Sequence, residues 1–318
     1  MIKNIKTLAS SLVLGAFAFA GPSMAAGDGA SCQKVRFSDV GWTDITATTA
    51  TASAILESIG YEPEIQQLGV PVTYAALAKK DVDVFLGNWM PSMENDIAPY
   101  REAGTVETLG ANLTGAKYTL AVPQATWDKG LKDFKDIGKF KADLDGKIYG
   151  IEPGNDGNRL VQDVINNKDF GLDGFEVVES SEAGMLSQVA KATGAGKDIV
   201  FLGWAPHPMN ANFKLQYLTG GDDYFGPNFG GADVYTNVRK GYVSECPNVG
   251  KFISQLKFSL EMENEIMGAI LDKGQDPKAA AVAWMKANPD TVKGWLQGVT
   301  TFDGSGDGAA AAEKGLGL

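Results

Sequence analysis

Apolar runs along this chain are short, are bounded by glycine, proline or acidic residues, and alternate with stretches of helical period. Lys34 to Val40 reads as a strand, a turn follows at Gly41, and a helical stretch runs from about Asp44 to Ser58. Ile65 to Val70 reads as a second strand, Val72 to Ala78 as a short helix and Val82 to Leu86 as a third strand. The same order then recurs. Lys147 to Ile151 is a strand, a glycine-rich turn leads into a helix from about Asn155 to Asn166, Phe175 to Glu179 is a strand, Ala183 to Ala192 a helix and Ile199 to Leu202 a strand. The steps from 34 to 147, 65 to 175 and 82 to 199 are nearly equal. The third strands echo each other in residues: Phe85-Leu86-Gly87-Asn88-Trp89-Met90-Pro91 against Phe201-Leu202-Gly203-Trp204-Ala205-Pro206. A β-α-β-α-β unit is half of a parallel sheet covered on both faces, so two of them predict an α/β chain with two lobes of one fold type.

Beyond residue 220 the pattern changes. Gly220-Gly221-Asp222-Asp223 and Gly226-Pro227-Asn228-Phe229-Gly230-Gly231 are loop chemistry, and Ala232 to Val238 reads as a strand. A single long amphipathic helix is expected from about Val249 to Leu271, with Phe252, Ile253, Leu256, Leu260, Met267, Ile270 and Leu271 on one stripe. Asp276-Pro277 supplies an N-cap and a proline at the first helical position for a further helix to about Asn288. The last dozen residues, with Gly304 to Ala312 small and soft, carry the low-complexity sequence.

The N-terminus bears on compartment. Lys3 and Lys6 precede an uncharged apolar stretch from Leu8 to Ala20, and Ser23-Met24-Ala25 offers small residues for cleavage, so residues 1–26 read as a secretory signal peptide. The apolar run is shorter than the about 20 residues a bilayer span needs. Export into an oxidising compartment lets thiols persist as a disulfide, and Cys32 and Cys246 are expected to pair, docking the C-terminal segment on the first lobe. Lipidation of Cys32 is the competing reading; Gly29-Ala30-Ser31 lacks the large apolar residue it needs. The second lobe is then an insertion: residues 27–116 with 222–318 form lobe one, 117–221 form lobe two, and the chain crosses between them twice.

Composition narrows the chemistry. The 318 residues hold 28 Lys+Arg against 39 Asp+Glu, a net charge of −11, with one His and two Cys. A His/Cys zinc site needs three or four such ligands, so no metal or cofactor is expected. An acidic chain lacks the cationic footprint that nucleic acid requires. His207, between Pro206 and Pro208, reads as a loop residue, and no activated nucleophile stands beside it, so no catalytic residue is assigned.

In open α/β sheets the ligand lies beyond the carboxyl ends of the strands. Those positions hold Trp42, Thr43 and Asp44 after the first strand, Asn88 and Trp89 after the third, the turn Glu152-Pro153-Gly154-Asn155-Asp156 in the second half and Trp204 after its third strand, while Tyr118 begins the segment entering lobe two. Taken singly, each tryptophan fits packing as well, and Asp44 fits an N-cap. Three tryptophans at matching positions argue for a shared wall. Ring faces carry negative quadrupole and suit a cation that makes no hydrogen bond, at roughly 0.5–2 kcal/mol per contact. A box of Trp42, Trp89, Trp204 and Tyr118, with Asp44 expected to stay ionised at a helix N-terminus, predicts a small organic cation. Asn155 is the candidate for a neutral polar group such as a hydroxyl. Trp127, Trp284 and Trp295 are assigned to packing.

The runs Val35-Arg36-Phe37-Ser38-Asp39-Val40-Gly41-Trp42-Thr43-Asp44, Val84 to Pro91, Tyr149-Gly150-Ile151-Glu152-Pro153-Gly154-Asn155-Asp156-Gly157-Asn158-Arg159 and Phe201 to Trp204 resemble the quaternary-amine substrate-binding proteins of ABC transporters, the choline-binding members in particular. The resemblance covers the chain beyond the signal. It implies a two-lobed periplasmic-binding-protein (Venus flytrap, type II) fold with two hinge crossovers that closes on choline, the trimethylammonium group sitting among Trp42, Trp89, Tyr118 and Trp204, with Asp44 against the cation and Asn155 near the alcohol. It also implies a periplasmic monomer that delivers its ligand to an inner-membrane permease and its ATPase. Glycine betaine or proline betaine is the alternative ligand, disfavoured because its carboxylate would meet Asp44. A secreted hydrolase acting on choline esters is the alternative of another class.

Overall fold

The computed structural model describes residues 27–318; the expected signal peptide lies outside the described residues. Nine strands form one sheet: β1 (Lys34–Asp39), β2 (Glu62–Gln67), β3 (Val84–Met90), β4 (Val106–Pro123), β5 (Lys147–Tyr149), β6 (Glu176–Val178), β7 (Phe201–Ala205), β8 (Leu215–Tyr217) and β9 (Gly231–Arg239). Their order is β2-β1-β3-β9-β4-β7-β5-β6, with β8 paired to β4. The pairs β1/β2, β1/β3, β5/β6 and β5/β7 are parallel, so each predicted repeat is a parallel half-sheet. Between the halves β4 and β9 run antiparallel, and β4 carries the chain from β9 to β7. It pairs with β9 from Val106 to Lys117 and with β7 from Lys117 to Ala121. The result is a two-lobed α/β scaffold in which β4 is one crossover and the segment before β9 is the other.

Ten helices of seven residues or more cover the sheet among the described residues: α1 (Thr43–Ser58), α2 (Val70–Lys79), α3 (Glu94–Glu102), α4 (Asp156–Asn167), α5 (Glu182–Gly194), α6 (Pro247–Gln255), α7 (Leu260–Leu271), α8 (Pro277–Ala287), α9 (Pro289–Trp295) and α10 (Gly308–Leu316). Helix α1 is almost wholly buried, enclosed by the sheet and by α7, α8 and α10. Its alanines and threonines let these neighbours approach, and the buried hydroxyls of Thr48 and Thr51 donate to the carbonyls of Ile45 and Ala47 at 3.2 and 2.8 Å. The first turn of α1 is therefore held rigidly at the strand ends.

Two long-range ties close the first lobe. Cys32 and Cys246 form a disulfide across 214 residues. Buried Asp83 accepts from the Arg36 backbone and guanidinium and from Arg239 at 2.7–2.9 Å, joining β1 to β9. Burial alone would raise its pKa, but the two arginines hold the carboxyl below the usual range.

Several sequence expectations are corrected. The single helix over Val249–Leu271 is two helices. Leu256 turns extended, Phe258 N–H donates to the Asn112 carbonyl at 2.7 Å, and Ser259 caps α7 by accepting from Met262 N–H. The small, soft C-terminal stretch contains α10, capped by Asp307 on Ala310 N–H, with Ala312 buried. The second strand ends at Gln67, because Pro71 opens α2 around Val70. Trp295 is buried and stacks on Trp284, consistent with packing.

Candidate functional site

Trp42, Asp44, Trp89, Tyr118, Ile151 and Trp204 line a small cavity between the lobes. Trp42 occupies the N-cap position of α1 and Asp44 its first turn; Trp89 lies near the end of β3, and Tyr118 and Trp204 are direct partners in the β4/β7 ladder. Ring centroids of Trp89 and Tyr118 are 6.1 Å apart and those of Tyr118 and Trp204 6.2 Å, both edge-to-face. The peptide bonds before Pro91 and Pro206, at equivalent places in the repeat, are both cis.

The polar edges of three of these rings are occupied by protein. Trp42 Nε1 donates to Glu152 Oε1 at 2.9 Å, Trp89 Nε1 to Asp44 Oδ2 at 3.1 Å, and the Tyr118 hydroxyl to Asn155 Oδ1 at 2.8 Å. Such an arrangement leaves ring surface for a guest and keeps hydrogen-bonding groups engaged elsewhere. The one charged side chain lining the cavity is Asp44, whose Oδ1 has no hydrogen-bond partner. Gly230, at φ +64°, permits this packing, since a Cβ there would lie 1.8 Å from the Tyr118 carbonyl oxygen.

The sequence expectation that Asp44 stays ionised does not hold for the cavity by itself. Burial, and next the nearby Glu182 carboxylate, push Asp44 up to about 8, outweighing the helix N-terminus. Glu263, buried behind it, is also raised by burial and by Asp44. Burial raises Glu152 and lifts Asp156 to about 7. Asp44 thus favours protonation near neutral pH until a positive charge arrives.

Five of the six expected ligand residues, Trp42, Asp44, Trp89, Tyr118 and Trp204, share the cavity wall. Asn155 stands behind Tyr118 and outside the lining: its Oδ1 also accepts from Gly157 and Asn158 N–H, capping α4, and its Nδ2 donates to Glu152 Oε1 at 3.2 Å. Sequence reasoning missed Ile151 as lining; its place just past β5 was the signal. His207 is a loop residue, as expected, and a buried one: Nδ1 accepts from Met209 N–H at 3.0 Å and Nε2 lies 3.1 Å from Glu182 Oε1.

A two-lobed α/β scaffold with an aromatic cavity closed between the strand ends of both halves defines a solute-binding protein. Residues 33–287 match the substrate-binding domain of ABC-type glycine betaine transport systems, and the chain belongs to that family. It functions by binding solute within a transport system and not as an enzyme, which sets the hydrolase reading aside. The chain is similar to an ABC-transporter choline-binding protein solved in complex with choline, with 65% identity, a TM-score of 0.90, and coverage of 91% of this chain and 100% of that one. Against a choline-binding protein in an unliganded semi-closed conformation the values are 66%, 0.83, 91% and 100%. The glycine betaine/carnitine transport binding protein GbuC of Listeria monocytogenes is 32% identical over 170 residues, 54% of each protein. No described helix is long and apolar enough to cross a membrane.

Proposed function

We propose that this protein is the periplasmic choline receptor of an ABC importer, with residues 27–116 and 222–318 as one lobe and 117–221 as the other. The observation that carries the reading is a cavity walled by three indoles and a phenol whose single charged group is Asp44. A trimethylammonium group presents only C–H surface and positive charge, which ring faces and one carboxylate satisfy. The choline hydroxyl faces the Tyr118–Asn155 side. Glycine betaine adds a carboxylate that needs a cationic partner, and no lining residue is basic. The 65% identity to a choline-binding protein supports the same choice. The expected signal peptide and the disulfide support the periplasm, and the ligand-loaded monomer passes choline to the permease and its ATPase. Calorimetric titration of the mature chain tests this. Choline is expected to bind about 100-fold or more tightly than glycine betaine, as an unpaired buried charge implies; equal affinities, or heat with neither, overturn it.

A further inference from the structure

Helix α1 starts without a side-chain cap of its own, because Trp42 holds the N-cap position and makes no hydrogen bond to the first turn. The cap comes from the other lobe. Glu182, the first residue of α5, accepts the Thr43 N–H through Oε2 at 2.8 Å and the Thr43 hydroxyl through Oε1 at 2.5 Å, and both residues are buried. The protein uses the same device within lobe one. There α6 also lacks a cap residue, and Asp28 accepts from Asn248 and Val249 N–H at 2.8 and 2.9 Å.

Glu182 is itself held from the far wall of the cavity. Since Nδ1 of His207 accepts from Met209 N–H, Nε2 is the protonated nitrogen and donates to Glu182 Oε1. The His207 ring lies edge-to-face against Trp204, with centroids 5.0 Å apart. Trp204, His207, Glu182, Thr43 and Asp44 therefore form a continuous bridge from one wall of the cavity to the other, outside the space a ligand fills.

We infer that Glu182 is the closing latch of this receptor, a positioning residue by which lobe two caps α1 of lobe one and holds the cavity shut. When the lobes part, the carboxylate and the α1 donors both return to water; when they close, a charged acceptor meets orphan helix donors in a buried site. The same carboxylate stands close enough to Asp44 to raise its pKa, so an empty closed cavity sets two acids against each other. A bound cation relieves that repulsion, which makes closure conditional on the guest. The latch rests on the proposed cation-binding reading for its trigger but not for its geometry.

The test compares wild type, Glu182→Ala, Thr43→Val and the double variant by stopped-flow choline binding, single-molecule inter-lobe distance with and without choline, and melting of the unliganded chain. Glu182→Ala is expected to speed choline release about 5- to 30-fold, the typical to upper effect of losing a helix cap, with association changed less than about threefold and unliganded melting unchanged. Adding Thr43→Val to Glu182→Ala should have no further effect, because the one contact Thr43→Val removes, the hydroxyl to Glu182, is already lost with the carboxylate. Release within twofold of wild type, or effects of the two substitutions that simply multiply, overturns the latch. So does a variant that melts early yet keeps wild-type release. If wild type ignores choline, the ligand reading fails alone; the latch is then judged by the lifetime of spontaneous closed states, which Glu182→Ala must shorten.

Discussion

Replacing Asp44 by Asn separates the charge of the cavity from its shape. The carboxylate is buried, bonds Trp89 Nε1 through one oxygen and offers the other to the cavity. With its pKa at about 8 in the empty cavity, ionising it at pH 7 costs about 1.4 kcal/mol. A cation about 5 Å away at an effective dielectric of about 20 returns about 3.3 kcal/mol. The net, about 2 kcal/mol, makes the Asn variant about 30-fold weaker at pH 7.

The pH profile carries the sharper test. Because the cation favours the ionised form, binding expels a proton wherever the free site is protonated. Wild-type affinity is therefore expected to rise about tenfold per pH unit between about pH 6 and 8, to flatten below that window as the bound site protonates too, and to level off above it. The Asp44→Asn variant lacks that component, so the gap between the two proteins should shrink to a few-fold near pH 5.5 and widen to a few hundred-fold near pH 9. Acids that titrate independently of Asp44 cancel in the difference between profiles, which leaves Asp44 together with the Glu263 carboxyl it raises. Calorimetry in two buffers of unlike ionisation enthalpy gives affinity and proton release together. Parallel profiles, or no proton release by wild type near pH 7, would refute the reasoning.

Trp204→Leu should weaken choline up to about 30-fold while Trp204→Phe loses less, since the ring face contributes about 0.5–2 kcal/mol; unchanged affinity in titrations of the Leu variant would make this wall packing only. Gly230→Ala forces a Cβ onto the Tyr118 carbonyl at a left-handed φ, so the backbone there must move, and fluorescence titration should show loss of affinity; a variant that binds normally would show that Tyr118 does not set the site. Cys32→Ser with Cys246→Ser reopens a 214-residue loop and should lower stability by about 2–5 kcal/mol in urea unfolding, with ligand affinity nearly unchanged because the bridge lies in one lobe.

The central strands β3 and β7 were legible because strands covered on both faces read as continuous apolar runs, and the box was legible because strand ends are where such sheets place ligands. Strand β4 was not. Val106–Pro123 is interrupted by Gly110 and Gly115, and its ladder with β9 shifts register between Thr108 and Gly110 and again after Ala111, so neither period appears cleanly. The break at Leu256–Ser259 was hidden because the apolar stripe continues through it while the backbone turns. Glu182 was invisible for another reason: the helix it caps begins 139 residues earlier, and a cap that distant leaves no local signature.

That distance also explains how binding and closure become one event. Trp42, Asp44 and Trp89 belong to the half-sheet of β1 and β3, whereas Ile151 and Trp204 belong to that of β5 and β7, with Tyr118 on the strand that joins them. Neither half alone surrounds a cation, so the ring contacts and the Asp44 charge act together only when the halves meet. Meeting brings Glu152 onto the Trp42 indole and Glu182 onto the α1 N-terminus, which buries further acidic groups around the same space. Closure without a guest therefore costs either repulsion between buried carboxylates or the protonation of Asp44, a cost that closure around a cation avoids, and selection for positive charge is exercised by the motion as well as by the walls.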